Sequence, residues 1–201
     1  SSAASDVYKR QSMMISIGGS VCGGKYLGEE NTPAASAIFS KTLMFMVVYG
    51  LIVIALGLIF ETKIFVSLGA DETLFPVMSE YYRIIFPFLF FQFIVIQIYF
   101  FIRLDGFPNL AALALAIGAA VNIILDYLFI AVYGWGLTGA ALATGLSEVM
   151  SLAVMLFYFV HPQRKISFGL RQNNWREVFQ AAYNGISEFI NEVSGALIGF
   201  I

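Results

Sequence analysis

Four carboxylates stand inside stretches otherwise too apolar for water: Asp126, Glu148, Glu188 and Glu192. A carboxylate at bilayer depth costs roughly 2.5–3.5 kcal/mol on insertion scales, so it normally faces a cavity or a partner. In the last apolar run Asn184, Ser187, Glu188, Asn191, Glu192 and Gly195 recur at spacings of three and four. On a helix this spacing draws one polar stripe along a single face. Such a stripe needs water or another polar helix opposite it, as a transport cavity would provide. Glu188, Glu192, Asn191 and Asn184 are therefore candidate substrate- or ion-binding residues. The alternatives are that Glu192 and Asn191 join helices by hydrogen bonds, or that Glu188 sits nearer the interface. Asn122 and Asp126 form an i,i+4 pair, and Glu148 follows Thr144 by four residues. Asp126 and Glu148 suit either polar contacts between helices or an ion pathway. Gln92 and Tyr99, seven residues apart, share a face and could line the same cavity.

Two motifs point toward nucleotide chemistry, and both fail on context. Gly134-Trp135-Gly136-Leu137-Thr138-Gly139 has the dinucleotide-binding spacing, but that motif needs a preceding strand and an acid about 20 residues on. The preceding run is long enough for a membrane helix, and position 159 is Phe. Gly19-Ser20-Val21-Cys22-Gly23-Gly24-Lys25 approaches a phosphate-binding loop, but Tyr26 stands where a Ser or Thr hydroxyl would hold magnesium. A tight turn explains the first motif and a Gly-rich helix end the second. Cys22 is alone, no Cys/His cluster offers a metal site, and His161 beside Pro162 reads as an ordinary loop residue. No nucleophile–base constellation is visible at membrane depth, so an enzyme is not expected, and neither is a cofactor.

The elements that must position these residues are set by composition. The chain of 201 residues is 59% hydrophobic and 12% charged, with a mean hydropathy of +0.82. Soluble domains are about a quarter charged, so the bilayer is the solvent. A net charge of -2 argues against a nucleic-acid partner. Lys41 and Glu61 bracket one uncharged run, 42–60, and Arg83 and Arg103 another, 84–102. Each covers roughly 28 Å as a helix, about the hydrocarbon thickness. Further spans are expected at 108–132, 137–160 and 177–201, and residues 12–24 read as the tail of another. The fold class is an all-α polytopic transmembrane helical bundle. Residues 1–11 resemble a translated sequencing-adapter scar. Without an initiator Met, and ending at Ile201 within an apolar run, the sequence reads as a fragment.

Small residues at every fourth position let helix backbones approach closely in lipid. Ser16, Ser20 and Gly24 do this, as do Gly19 and Gly23, Ala112, Ala116 and Ala120, and Gly136, Ala140 and Thr144. Pro87 could kink its helix. Loops 25–41, 103–108 and 161–176 hold Lys25, Lys41, Arg103, Arg164, Lys165, Arg171 and Arg176, against only Lys63 and Arg83 on the opposite side. That asymmetry places the first group in the cytoplasm.

With the spans laid out, several stretches resemble the multidrug and toxic compound extrusion (MATE) family of the multidrug/oligosaccharide-lipid/polysaccharide exporter superfamily. They are Gly18-Gly19-Ser20 through Lys25-Tyr26-Leu27-Gly28; Leu68-Gly69-Ala70 followed by Tyr82; and Arg103-Leu104-Asp105-Gly106-Phe107-Pro108. Asn122 to Ile130, Gly136 to Thr144 and Asn184-Gly185-Ile186-Ser187-Glu188-Phe189 complete the set. The resemblance covers residues 12–201 and implies the end of helix 2 through helix 7 of a twelve-helix protein. On that map 12–160 is a partial six-helix lobe, 161–176 the cytoplasmic inter-lobe linker and 177–201 the first helix of a second lobe. It further implies a multi-pass protein of the plasma (inner) membrane, surrounded by lipid and partnered by the missing second lobe of the same chain. The implied activity is export of small-molecule organic cations in exchange for Na+ or H+ by alternating access. Glu188 is the best match to the family's helix 7 acid. A buried carboxylate whose charge is disfavoured can exchange a proton or sodium for a cationic substrate, and its occupancy can bias the lobe arrangement. The alternative within the superfamily is a lipid-linked oligosaccharide flippase, which would favour a cleft lined by basic residues. A non-transporting membrane scaffold is the remaining reading.

Overall fold

The computed structural model describes residues 2–67, 69 and 71–169. Among them every regular element is helical: α1 (Ser2–Gly28), α2 (Thr32–Ile59), α3 (Glu61–Ser67), α4 (Phe75–Leu104), α5 (Pro108–Asp126) and α6 (Gly136–Leu156). A 3-10 turn, Glu72–Leu74, precedes α4, and another, Phe157–Val160, follows α6. A π-helical turn, Tyr127–Val132, prolongs α5. Four stretches are long and apolar enough to cross a membrane: Thr32–Ile59, Phe75–Leu104, Pro108–Val132 and Gly136–Val160. The latter two match the expected 108–132 and 137–160. The first two extend well beyond 42–60 and 84–102, and α1 runs back to Ser2. The expected helix 177–201 lies outside the described residues.

The connections follow turn chemistry. After α1, Asn31 N–H donates to the Tyr26 carbonyl at 2.8 Å, and Glu30 takes a positive φ of 58°. This is the left-handed end of a helix, and Asn31 then caps α2 by accepting from the Ala34 N–H at 3.1 Å. The same device ends α4: Gly106 has φ 91°, Phe107 N–H donates to the Ile102 carbonyl, and Pro108 opens α5. Pro87 lies inside α4, whose helix continues on both sides of it.

The chain divides into two compact units, each with its own packing. One takes in the described residues up to Met46, Ile96–Asn109 and those from Tyr158 onward. Its buried side chains include Ile38, Phe39, Phe101, Ile102, Tyr158 and Ile166. Phe39 packs its ring against Phe101, Phe159 and Phe168. Gly23 lets α1 close on Phe101, Leu104 and Ile38, and Gly19 on Thr42. Here the predicted Gly19/Gly23 stripe does what small residues do in lipid. Lys41, expected to bracket a span from a cytoplasmic loop, is a buried residue within α2.

The second unit comprises Val47–Val95 and Leu110–Phe157. Gly57 meets Phe86 and Tyr82, Gly118 meets Ser151, and Gly145 meets Phe88. Two small-residue stripes need correction. On α5 it is Ala111, Ala114 and Gly118 that are buried, whereas Ala112, Ala116 and Ala120 are exposed. On α6 Gly139, Ala141, Ala143 and Gly145 are buried, whereas Gly136 and Thr144 are exposed. These helices are rich in Ala and Gly on several faces, so spacing alone does not select the face in contact.

Candidate functional site

The polar side chains of the second unit meet across its helices. Gln92 of α4 donates its Nε2 to Glu148 Oε1 of α6 at 3.2 Å. The Gln92 Oε1 is buried and has no hydrogen-bond partner among the described residues. Asn122 of α5 reaches Thr144 of α6, Nδ2 to Oγ1, at 3.5 Å. One turn further along α5, Asp126 has its Oδ1 buried with no partner among the described residues. Asp126 is also the last α-helical residue before the π turn, where backbone N–H groups bond one residue further back. Of the residues paired in the sequence along single helices, Asn122, Thr144 and Glu148 thus acquire partners on neighbouring helices.

Tyr99 belongs to the other unit and has different company. Its ring lies 5.2 Å from the Arg103 guanidinium and its hydroxyl accepts from Arg103 Nη1 at 3.2 Å. That is a cation–π contact at the end of α4. Gln92 and Tyr99 thus each engage a different residue within their own unit. Asn184, Asn191, Glu188 and Glu192 lie outside the described residues.

Sequence reasoning missed three polar centres. Gln97, fully buried, donates its Nε2 to Thr42 Oγ1 at 2.6 Å, and Thr42 itself donates back to the Ile38 carbonyl at 2.8 Å. Glu61, at the start of α3, accepts from Arg83 Nε at 2.9 Å and from the Ser79 hydroxyl. Arg83 thus leaves the bracketing role and pairs with the other bracket. The third centre is Asp105, 8% exposed, in the turn between α4 and α5. Its Oδ2 accepts from the Tyr158 hydroxyl, from the Lys165 N–H at 2.7 Å and from the Ile166 N–H at 3.4 Å. Ser36 and Ser40, one turn apart on α2, accept from the Ser167 and Gly169 N–H groups at 3.1 and 2.9 Å. The first half of the expected linker, residues 164–169, is therefore held by three side chains as an irregular segment. A buried-facing Asp in an Asp-Gly turn and a lone Tyr late in an apolar run were the available signals.

The apparent nucleotide motifs resolve as expected from context. Gly134 and Gly136 take φ of 70° and 54° in the turn before α6, and Gly19 to Lys25 lie within α1. His161 packs against Phe107 and accepts at Nδ1 from the Gln163 N–H. Among the described residues no group of His, Cys, Asp and Glu could hold a metal ion.

Comparison with known proteins sets this arrangement in context. The sequence profile of the MatE family matches residues 7–128. The chain is 27% identical over 161 residues to the multidrug export protein MepA of Staphylococcus aureus, covering 79% of this chain and 35% of MepA. It is 27% identical over 158 residues to a probable multidrug resistance protein, YoeA, of Bacillus subtilis, covering 77% and 34%. The chain thus spans about a third of the length of the curated relatives it matches. Among solved structures it resembles a multidrug resistance MATE family transporter in its inward-facing conformation, at 23% identity and a TM-score of 0.85. That match covers 92% of this chain and 43% of the other. An outward-facing MATE structure matches at 25% identity and a TM-score of 0.81, covering 97% and 45%.

Proposed function

The chain belongs to the MatE family of membrane transporters, and on that premise we propose that it forms part of a multidrug efflux antiporter. In this reading the protein resides in the plasma (inner) membrane and exports small organic cations in exchange for Na+ or H+ by alternating access. The names of its relatives, export and resistance proteins, favour efflux over the flippase alternative. The remainder of the protein supplies the second lobe of the cleft.

The observation that carries the reading is Asp126. Its Oδ1 is buried without a partner among the described residues, one turn from the Asn122–Thr144 contact. A buried carboxylate oxygen with no donor is costly, and a cation or proton relieves that cost. Asn122 and Thr144 present an amide and a hydroxyl that can complete a polar site beside it. Binding of the coupling ion would then compete with a cationic substrate for the same negative charge. An occupied and an empty site favour different lobe arrangements only through such differential binding. Glu188 is a second candidate carboxylate on the same logic.

The experiment is dye efflux in inverted membrane vesicles from cells expressing the full-length transporter. Asp126→Asn and Glu188→Gln are each expected to abolish ion-driven export while leaving the amount of protein in the membrane unchanged. Undiminished efflux in Asp126→Asn would remove that residue from the coupling site.

A further inference from the structure

We propose that one end of the second unit binds a zwitterionic lipid headgroup, phosphatidylethanolamine, through Glu80, Arg83, Tyr133 and Trp135. Glu80 takes the ammonium group and Arg83 the phosphate, while the rings pack against the glycerol and the start of an acyl chain. This goes beyond the antiport reading and does not depend on it.

The level of these residues in the membrane is set by where the spans end. α4 has 30 residues, roughly 45 Å of helix, whereas the hydrocarbon core is about 30 Å thick. Its uncharged run begins only after Arg83, so Arg83 and, one turn earlier, Glu80 stand in the headgroup layer. The spans Pro108–Val132 and Gly136–Val160 meet in the turn that holds Tyr133 and Trp135. Thr138 joins the two places. Its hydroxyl, one turn into α6 from Trp135, donates to Glu80 Oε1 at 2.6 Å.

Glu80 and Arg83 carry opposite charges one turn apart, where Cβ atoms on a helix lie roughly 5–6 Å from each other. They do not pair: Arg83 gives its Nε to Glu61 at 2.9 Å, the ion pair among the described residues. That contact leaves the two terminal nitrogens of a guanidinium whose side chain is 69% exposed. Glu80 is exposed, and its carboxylate accepts from a neutral hydroxyl and from no cation among the described residues. An acid without a cation and a half-used guanidinium at this spacing match a headgroup whose ammonium and phosphate are two carbons apart. A carboxylate accepts N–H bonds from a primary ammonium, which trimethylammonium cannot donate, so ethanolamine fits better than choline. Phe129, Tyr133 and Trp135 stack on one another with centroids 5.0 to 6.4 Å apart, yet Tyr133 and Trp135 remain exposed. Rings with an apolar body and a polar tip settle at the headgroup boundary. Exposed Val77, one turn before Glu80, and exposed Leu137, beside Thr138, extend the apolar surface for an acyl chain.

The test is native mass spectrometry of the purified, delipidated full-length transporter, titrated with phosphatidylethanolamine, phosphatidylglycerol or phosphatidylcholine of matched acyl chains. Wild type is expected to retain phosphatidylethanolamine over both others. In Glu80→Gln, whose amide oxygen can still accept from Thr138, that preference is expected to fall about fivefold, the size of a strong exposed ion pair. Trp135→Leu is expected to weaken retention of all three lipids. Wild-type retention of phosphatidylglycerol or phosphatidylcholine as strong as that of phosphatidylethanolamine would overturn the proposal. An undiminished preference in Glu80→Gln would do the same. Should Glu80→Gln fail to accumulate, retention at the wild-type level in Trp135→Leu would overturn it equally. Because lipid retention is read without transport, a negative result here leaves the efflux reading standing, and absent efflux leaves the lipid site standing.

Discussion

Gly139 shows how little room the membrane-spanning helices leave one another. A Cβ there would lie 2.9 Å from Phe129 Cβ and 3.1 Å from its backbone carbon, and backbone cannot swing aside as a flexible side chain can. Gly139→Val is therefore expected to cost about 1–3 kcal/mol through overpacking and to lower the melting temperature of the detergent-solubilised protein. Ala112→Val, on the exposed face of α5, is expected to stay within about 0.5 kcal/mol of wild type. Equal losses for the two would mean that the packing faces assigned here are wrong. Residue type announced both positions as small, but only the neighbour's backbone separates them. Glu148 makes the same point for polar groups. Its place in an apolar run marks it as unusual, yet its relation to Gln92, 56 positions away, is a matter of how α4 and α6 pack.

Among the elements, the segment after α6 is held more by side chains than by any regular structure of its own. Asp105, Ser36 and Ser40 together accept four backbone N–H groups from residues 165–169. Removing the carboxylate in Asp105→Ala leaves the Lys165 and Ile166 N–H groups without that acceptor and the Tyr158 hydroxyl with only the Ile166 carbonyl at 3.4 Å, an expected loss of about 1–3 kcal/mol. Tyr158→Phe removes one of the donors instead and is expected to cost about 1 kcal/mol. Limited trypsinolysis at Arg164 and Lys165 reads the difference: cleavage should accelerate strongly in Asp105→Ala and only modestly in Tyr158→Phe. Cleavage at the wild-type rate in Asp105→Ala would show that the serines and aromatic packing suffice. The helices themselves were legible to different degrees. Spans 108–132 and 137–160 are limited by turn residues, Gly106-Phe107-Pro108 and Gly134-Trp135-Gly136, and were read to within a residue or two. Spans 42–60 and 84–102 were bounded by charge, which marks where hydrocarbon ends and not where hydrogen bonding along the helix stops. α2 and α4 accordingly begin about ten residues earlier.

At the scale of the whole molecule, the asymmetry of basic residues predicts that the 133–136 turn faces outside and residues 161–169 face the cytoplasm. A cysteine introduced at Trp135 in a full-length background lacking Cys22 should react with a membrane-impermeant thiol reagent on intact cells. One at Gln163 should react only after permeabilisation. The reverse pattern would invert the orientation and place the held segment outside.

What the sequence determined by itself is the solvent, the helical class, the later spans and the rarity of membrane-depth carboxylates. All of these depend on local composition and on the cost of leaving backbone or charge unsatisfied in lipid. The resemblance to the MATE family was legible too, because its motifs are short and ordered along the chain. The tertiary structure decided which faces of α5 and α6 touch, that Arg83 answers Glu61, that Asp105 holds residues 165–166, and that Gln92 meets Glu148. Each is a contact between residues far apart in sequence. Spacing along one helix says which residues share a face, and only the packing of a second helix says what that face meets.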